Sequence, residues 1–181
     1  MNAPTDITEG QAVADIWTVD GFRPDTWHLP DADASTGVDA FIALDAVDTA
    51  LEAGRNAGLG ILLQPGDDVT RLAPHLDRIA LVAVAFPAYT DGRGYSMASL
   101  LRQRLGYDGE LRAVGDVLLD QIPYMLRCGF TSFSVTHAPT RARLAMGDIP
   151  GVALYTQPAA RAEGQPGGYS WRRGPRSEPA G

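Results

Sequence analysis

From Val38 onward, short apolar runs alternate with segments of helical period. Ala40-Phe41-Ile42-Ala43-Leu44 precedes a helical stretch over 46–56, and Gly60-Ile61-Leu62-Leu63 precedes one over 69–77. Residues 80–86 are followed by a helix over 96–105, residues 111–114 by one over 120–128, and residues 130–135 by a weaker helical segment. Leu81-Val82-Ala83-Val84-Ala85-Phe86 is apolar without a break, as a strand buried on both faces should be. Strand–helix alternation at this spacing predicts an α/β fold of about five mostly parallel strands from βαβ units. Five strands are too few for an eight-stranded barrel, so an open sheet or a half-barrel-like curl is expected.

Two helices have readable ends. Ser96 is a candidate cap, with Tyr95 and Leu100 as a hydrophobic staple, a stripe of Met97, Leu100, Leu101 and Leu105, and Gly106 as the stop. In the next helix, Asp120 as cap places Pro123 in the first turn, where its missing N–H is harmless, and Gly129 ends the helix. Ahead of this body lies an irregular arm anchored by Ile16, Trp17, Val19, Phe22 and Trp27, read as a short strand near 15–19 and then a packed loop. The expected organisation is a disordered acidic tip over 1–14, a single α/β domain over 15–160 and a Gly/Pro/Arg-rich tail over 161–181.

Composition narrows the chemistry. All fifteen basic residues of the 181-residue chain are arginine, which removes Schiff-base lysines and the lysine of a P-loop. The arginine bias is read as the mark of a GC-rich genome and not of function. Cys128 is the only cysteine, so no single-chain disulfide framework or multi-cysteine metal or iron–sulfur site is available. No apolar run approaches the roughly 18 residues of a membrane span, and no signal peptide is visible, so the expected setting is cytoplasmic. The formal charge of −7 is uneven: residues 1–50 carry ten acids against Arg23 alone, and the rest carries twelve acids and fourteen arginines. An acidic arm on a near-neutral body argues against nucleic-acid binding.

In a parallel sheet, ligands gather where strands end and helices begin. Tyr89-Thr90-Asp91-Gly92-Arg93-Gly94 is the richest such segment. Gly92, Gly94 and Ser96 around Arg93, with Arg112 nearby in the chain, form a candidate anion- or partner-binding site. A tight turn in which Arg93 pairs with Asp91 or Asp116 is the alternative. Asp91 and Asp116 are the candidate acid–base pair, although an Asx-turn and a loop brace explain them as well. His137 lies at the same edge and reads as a hydrogen-bonded surface residue. His28 and His75 have no partner at metal-ligand spacing, so no metal site is expected. Cys128, roughly 12 Å along its helix from Asp120, reads as a packing residue.

The run FPAYTDGRGYSMASLLRQRLGYDGELRAVGDVLLDQIPYMLRCGF resembles the core of an uncharacterised bacterial family, domain of unknown function 934. TDGRGYS, GELRAVGDV, DQ and RCGF carry the resemblance, which runs from Asp91-Gly92-Arg93-Gly94-Tyr95 through Arg102, Arg112, Gly115-Asp116 and Asp120-Gln121 to Arg127-Cys128-Gly129. It extends more loosely to LGILLQPGDD and GVALYTQPAA. Thr131-Ser132-Phe133-Ser134 departs from the family's acidic-ended pattern. The resemblance implies a link to assimilatory sulfite reduction in cysteine biosynthesis, because genes of the family lie beside sulfite reductase.

Three roles follow. The first is an accessory or partner protein of sulfite reductase, or an oxidoreductase component of that system. The others are a stand-alone enzyme on a small sulfur oxyanion or phosphorylated metabolite, and a ligand-binding regulatory module. GRGYS lacks the third glycine of a nicotinamide fingerprint, and no haem attachment motif occurs, so no cofactor bound by this chain alone is expected. Deleting residues 1–12 should leave the melting temperature unchanged, since Ile16 and Trp17 are the first core anchors; a large drop would make the tip structural.

Overall fold

The computed structural model describes residues 15–27, 40–54 and 58–150. The expected acidic tip over 1–14 and tail over 161–181 lie outside these residues, as do the end of the expected domain and His28. The chain runs β1 (Asp15–Thr18), β2 (Gly21–Pro24), β3 (Phe41–Ala43), α1 (Val47–Glu52), β4 (Leu59–Leu63), β5 (Ile79–Phe86), α2 (Arg93–Gln103), β6 (Glu110–Gly115), α3 (Ile122–Cys128), β7 (Ser132–Val135) and α4 (Ala138–Ala145). A 3-10 turn over Leu44–Ala46 leads into α1, and a longer 3-10 segment over Val69–Arg78 stands where a helix was expected. It contains Pro74, whose missing N–H interrupts an α ladder.

All strands among the described residues form one seven-stranded sheet in the order β2-β1-β7-β6-β5-β4-β3. The five expected parallel strands are present as β3 to β7. The arm adds two more: β1 and β2 form an antiparallel hairpin, and β1 joins β7 antiparallel through Trp17 and Phe133. The count of five therefore falls short, because Gly21-Phe22-Arg23-Pro24 is short and ends in proline.

Each parallel strand lies beside the next in sequence, so crossovers of one hand put every helix on one face. Ile61, Val82, Val84, Phe86, Leu111, Ala113, Phe133 and Val135 point to that face. They pack with Val47, Leu72, Leu101, Met125 and Leu144 from the helical segments in the main core.

The other face carries Phe41, Gly60, Leu81, Ala83, Glu110, Arg112, Val114 and Ser132, by the strand registers. Neighbouring strands are about 4.8 Å apart, so β6 lies about 14 Å from β3 in a flat sheet. Yet the Arg112 guanidinium sits 5.9 Å from the Phe41 ring, and Glu110 on β6 meets Arg23 on β2 at 3.0 Å. Reaches of three strands in both directions fit a sheet curled around this face, half-barrel-like and not closed. Within the curl, the Trp27 ring lies over Gly60, where an added Cβ would come within 2.2 Å of it, and packs against Phe41 at 5.5 Å.

Arg112 is 2% exposed, and each of its three guanidinium nitrogens donates. It donates to Asp25 at 2.7 Å, to Glu110 at 2.8 and 3.2 Å, and to Ser132 at 3.3 Å. Removing one partner of a buried pair strands the other charge, which typically costs about 3–5 kcal/mol. Asp25→Ala should therefore lower stability by about 3 kcal/mol, because Glu110 still faces Arg112. Denaturant unfolding measures this, and a loss no larger than that of an exposed Asp20→Ala would contradict the buried pair.

Candidate functional site

The loops after β4, β5 and β6 meet at the carboxyl edge of the sheet. Asp91 Oδ1 accepts the Arg93 backbone N–H at 3.1 Å, an Asx-turn that starts α2 at Arg93. Ser96 is therefore inside the helix and not its cap, and Tyr95 lies in the helix without forming the expected staple. Tyr95 instead packs edge-on against Phe86 at 5.4 Å. α3 follows Gln121 and not Asp120, without a side-chain cap bond; Pro123 lies in its first turn and Gly129 ends it in the left-handed region.

Arg93 is held by its own loop. Its guanidinium grips Asp91 at 3.0 and 2.7 Å, and its third nitrogen reaches the Pro65 carbonyl at 3.4 Å. The hydrogen bond from Arg93 holds the Asp91 carboxyl below its ordinary range. The pairing of Arg93 with Asp91 expected for a tight turn is present, and the Pro65 contact ties the β4 loop to the β5 loop. The Arg93 side chain nevertheless remains 63% exposed.

The glycines beside it serve packing. A Cβ on Gly94 would lie 2.5 Å from the Phe86 ring, so this position lets α2 sit against β5. Gly92 faces open space in an ordinary helical conformation. Gly115, at φ +102°, would bring a Cβ within 2.4 Å of the Phe86 carbonyl, and the next N–H, of Asp116, donates to that same oxygen at 2.8 Å.

Asp116 and Asp91 take different partners. Asp116 accepts the Tyr89 N–H at 2.9 Å, while Gln121 donates to the Tyr89 carbonyl at 2.7 Å and accepts the Leu118 N–H at 3.0 Å. The β6–α3 connection thus clamps both the N–H and the carbonyl of Tyr89, while the residue stays 56% exposed. The sequence placed Tyr89 in the candidate loop without a role of its own and gave Gln121 no role; the DQ pair within the compound motif was the available signal.

Arg112 is separated from this edge. It lies within β6 on the face opposite the described helices, in the buried cluster with Asp25, Glu110 and Ser132, so its proposed place beside the Arg93 loop is corrected. A strand alternates faces, and Glu110 and Arg112 point away from Leu111 and Ala113.

The remaining reactive groups are held in place. His137 Nδ1 lies 2.8 Å from the buried Thr140 hydroxyl at the start of α4. Burial pushes the Cys128 thiol up, against hydrogen bonds with Ser99 and Tyr124. Among the described residues, no three His, Cys, Asp or Glu side chains gather as a metal site, and no helix is long and apolar enough to cross a membrane.

Fold and edge together define an α/β scaffold with a singly wound sheet, whose strand-end loops are braced by their own side chains. The chain belongs to the family described as bacterial protein of unknown function (DUF934), whose model matches residues 60–163. No functionally curated protein matches the chain.

The buried cluster makes stability depend on pH. Burial pushes the Glu110 carboxyl up, but hydrogen bonds from Ser132 and Arg112, with the charges of Arg112 and Arg23, outweigh it and leave it below the ordinary 4.5. A depressed folded value means that Glu110 contributes stability above the unfolded value and loses it as pH falls through the folded one. The stability gap between the natural chain and Glu110→Gln should be full near neutrality and narrow below pH 4.5. A gap that stays constant on acidification would refute the linkage.

Proposed function

We propose that this protein is a partner protein of assimilatory sulfite reduction, docking on sulfite reductase through the Tyr89–Arg93 loop. The observation that carries the reading is the braced loop: an exposed aromatic residue whose backbone is clamped by Asp116 and Gln121, beside an arginine held by Asp91. A rigid, exposed tyrosine offers contact area at low ordering cost, as interface anchors do. The candidate acid–base residues are occupied by this bracing, which favours docking over turnover by the isolated chain. The sulfite reductase assignment comes from the family resemblance.

Complex formation with purified sulfite reductase tests it. Tyr89→Ala and Arg93→Ala should each weaken the complex by about tenfold while the melting temperature barely moves, and Arg93→Lys should restore part of the loss. No complex with the natural chain, together with turnover of a sulfur oxyanion by the isolated protein, would overturn the reading in favour of an enzyme.

A further inference from the structure

The convex face carries a groove of about 350 Å3 between α2 and α3. Tyr95 and Tyr124 form one wall, their rings 5.0 Å apart. Phe86 backs Tyr95 from the core side, while Tyr124 is 52% exposed. Leu100 supplies an aliphatic surface, and Ser96, Ser99 and Gln103 supply hydrogen-bonding groups. Arg104, at the end of α2, supplies the charge.

The charge pattern separates this groove from the other polar sites. Arg23, Arg71, Arg93, Arg112, Arg141 and Arg143 each hold a carboxylate. Arg104 is exposed and has no ion pair among the described residues, and no acidic side chain lines the groove. The cluster around Arg112 is already satisfied. The smaller cleft beside His137 carries its own acid, Asp120, and its arginine is held by Asp148.

We propose that this groove receives an acidic segment of a partner protein, with one apolar side chain against Tyr95, Tyr124 and Leu100 and a carboxylate on Arg104. Aromatic walls with a single unpaired arginine match the composition of interface hot spots, and the missing acid makes the site complementary to a negative partner. The proposal rests on the partner reading and adds the chemistry that the partner must present.

Two probes are measured with the full chain. One is a fluorescein-labelled peptide of glutamates around a central Phe-Leu pair, followed by anisotropy; the other is sulfite reductase. The glutamate peptide should bind about tenfold more tightly than its glutamine counterpart. Arg104→Glu should remove that preference, Arg104→Lys should keep most of it, and the control Arg143→Glu on α4 should leave it unchanged. Tyr124→Ala should weaken both peptides. Sulfite reductase should follow the same order.

Equal binding of the two peptides, or equal effects of Arg104→Glu and Arg143→Glu, would overturn the groove. A rise in peptide affinity on deleting residues 1–14 would overturn it in favour of the chain's own acidic arm. Loss of a dimer in Arg104→Glu would do so in favour of a second copy. If the peptide arm holds and sulfite reductase does not bind, the groove stands and the sulfite reductase reading falls. If sulfite reductase binds and Arg104→Glu has no effect in either arm, the groove falls and the reading stands.

Discussion

A guanidinium inside a curled sheet is tolerated only when its partners are brought to it, and here they come from separate stretches of the chain. Asp25 follows the edge hairpin, Glu110 shares β6 with Arg112, and Ser132 comes from β7. Arg23 adds a second cation on Glu110, so two positive and two negative groups meet on the inner face. Desolvation of each charge is offset only by this complete set. The hairpin, the curl and the seat of Trp27 over Gly60 therefore depend on one another: if the hairpin moves, Asp25 leaves with it and Arg112 loses a partner.

Single winding shapes the opposite edge. In a doubly wound sheet, loops diverge to opposite faces at a switch point and open a crevice between them. From β3 to β7 the order never reverses, and every connection passes over the same convex face. Neighbouring loops can then brace one another, as Arg93 does toward Pro65 and Asp116 toward Tyr89. The braced edge presents Tyr89 as a fixed projection, which suits contact between surfaces more than enclosure of a small molecule.

Much of the fold was legible in the sequence because the parallel strands are continuous apolar runs bounded by turns. Residues 80–86 announce themselves in this way, and Pro123 and Gly129 mark the ends of α3. Of the hairpin, β1 was legible as the short strand near 15–19, but β2 was not, since Gly21-Phe22-Arg23-Pro24 is too short to alternate. The start of α2 was misplaced for a local reason: Asp91 takes the Arg93 N–H before Ser96 can act as a cap. The site was less legible than the fold. Arg112 sits near the Arg93 loop in sequence, but strand alternation sends it to the other face, where its partner Asp25 is 87 residues away. Much of the compound motif proves to be architecture, as with Gly94 against Phe86 and Arg102 donating to the Gly129 carbonyl.

The seam between β1 and β7 gives the molecule two tiers of permanence. The parallel strands share ladders of three to six aligned residues, whereas the hairpin's backbone register with them is the single pair Trp17 and Phe133, whose rings lie 5.6 Å apart, supplemented by the ion pairs of Arg23 and Asp25. A seam so narrow can part as one cooperative unit while the parallel ladders stay closed, in the manner of a foldon at the low end of the stability range. In amide exchange, β1 and β2 would then lose protection together, at a lower free energy than β5 and β6. Because Arg23 and Asp25 travel with the hairpin, each opening would bring water to the inner face at Arg112 before any parallel strand is lost.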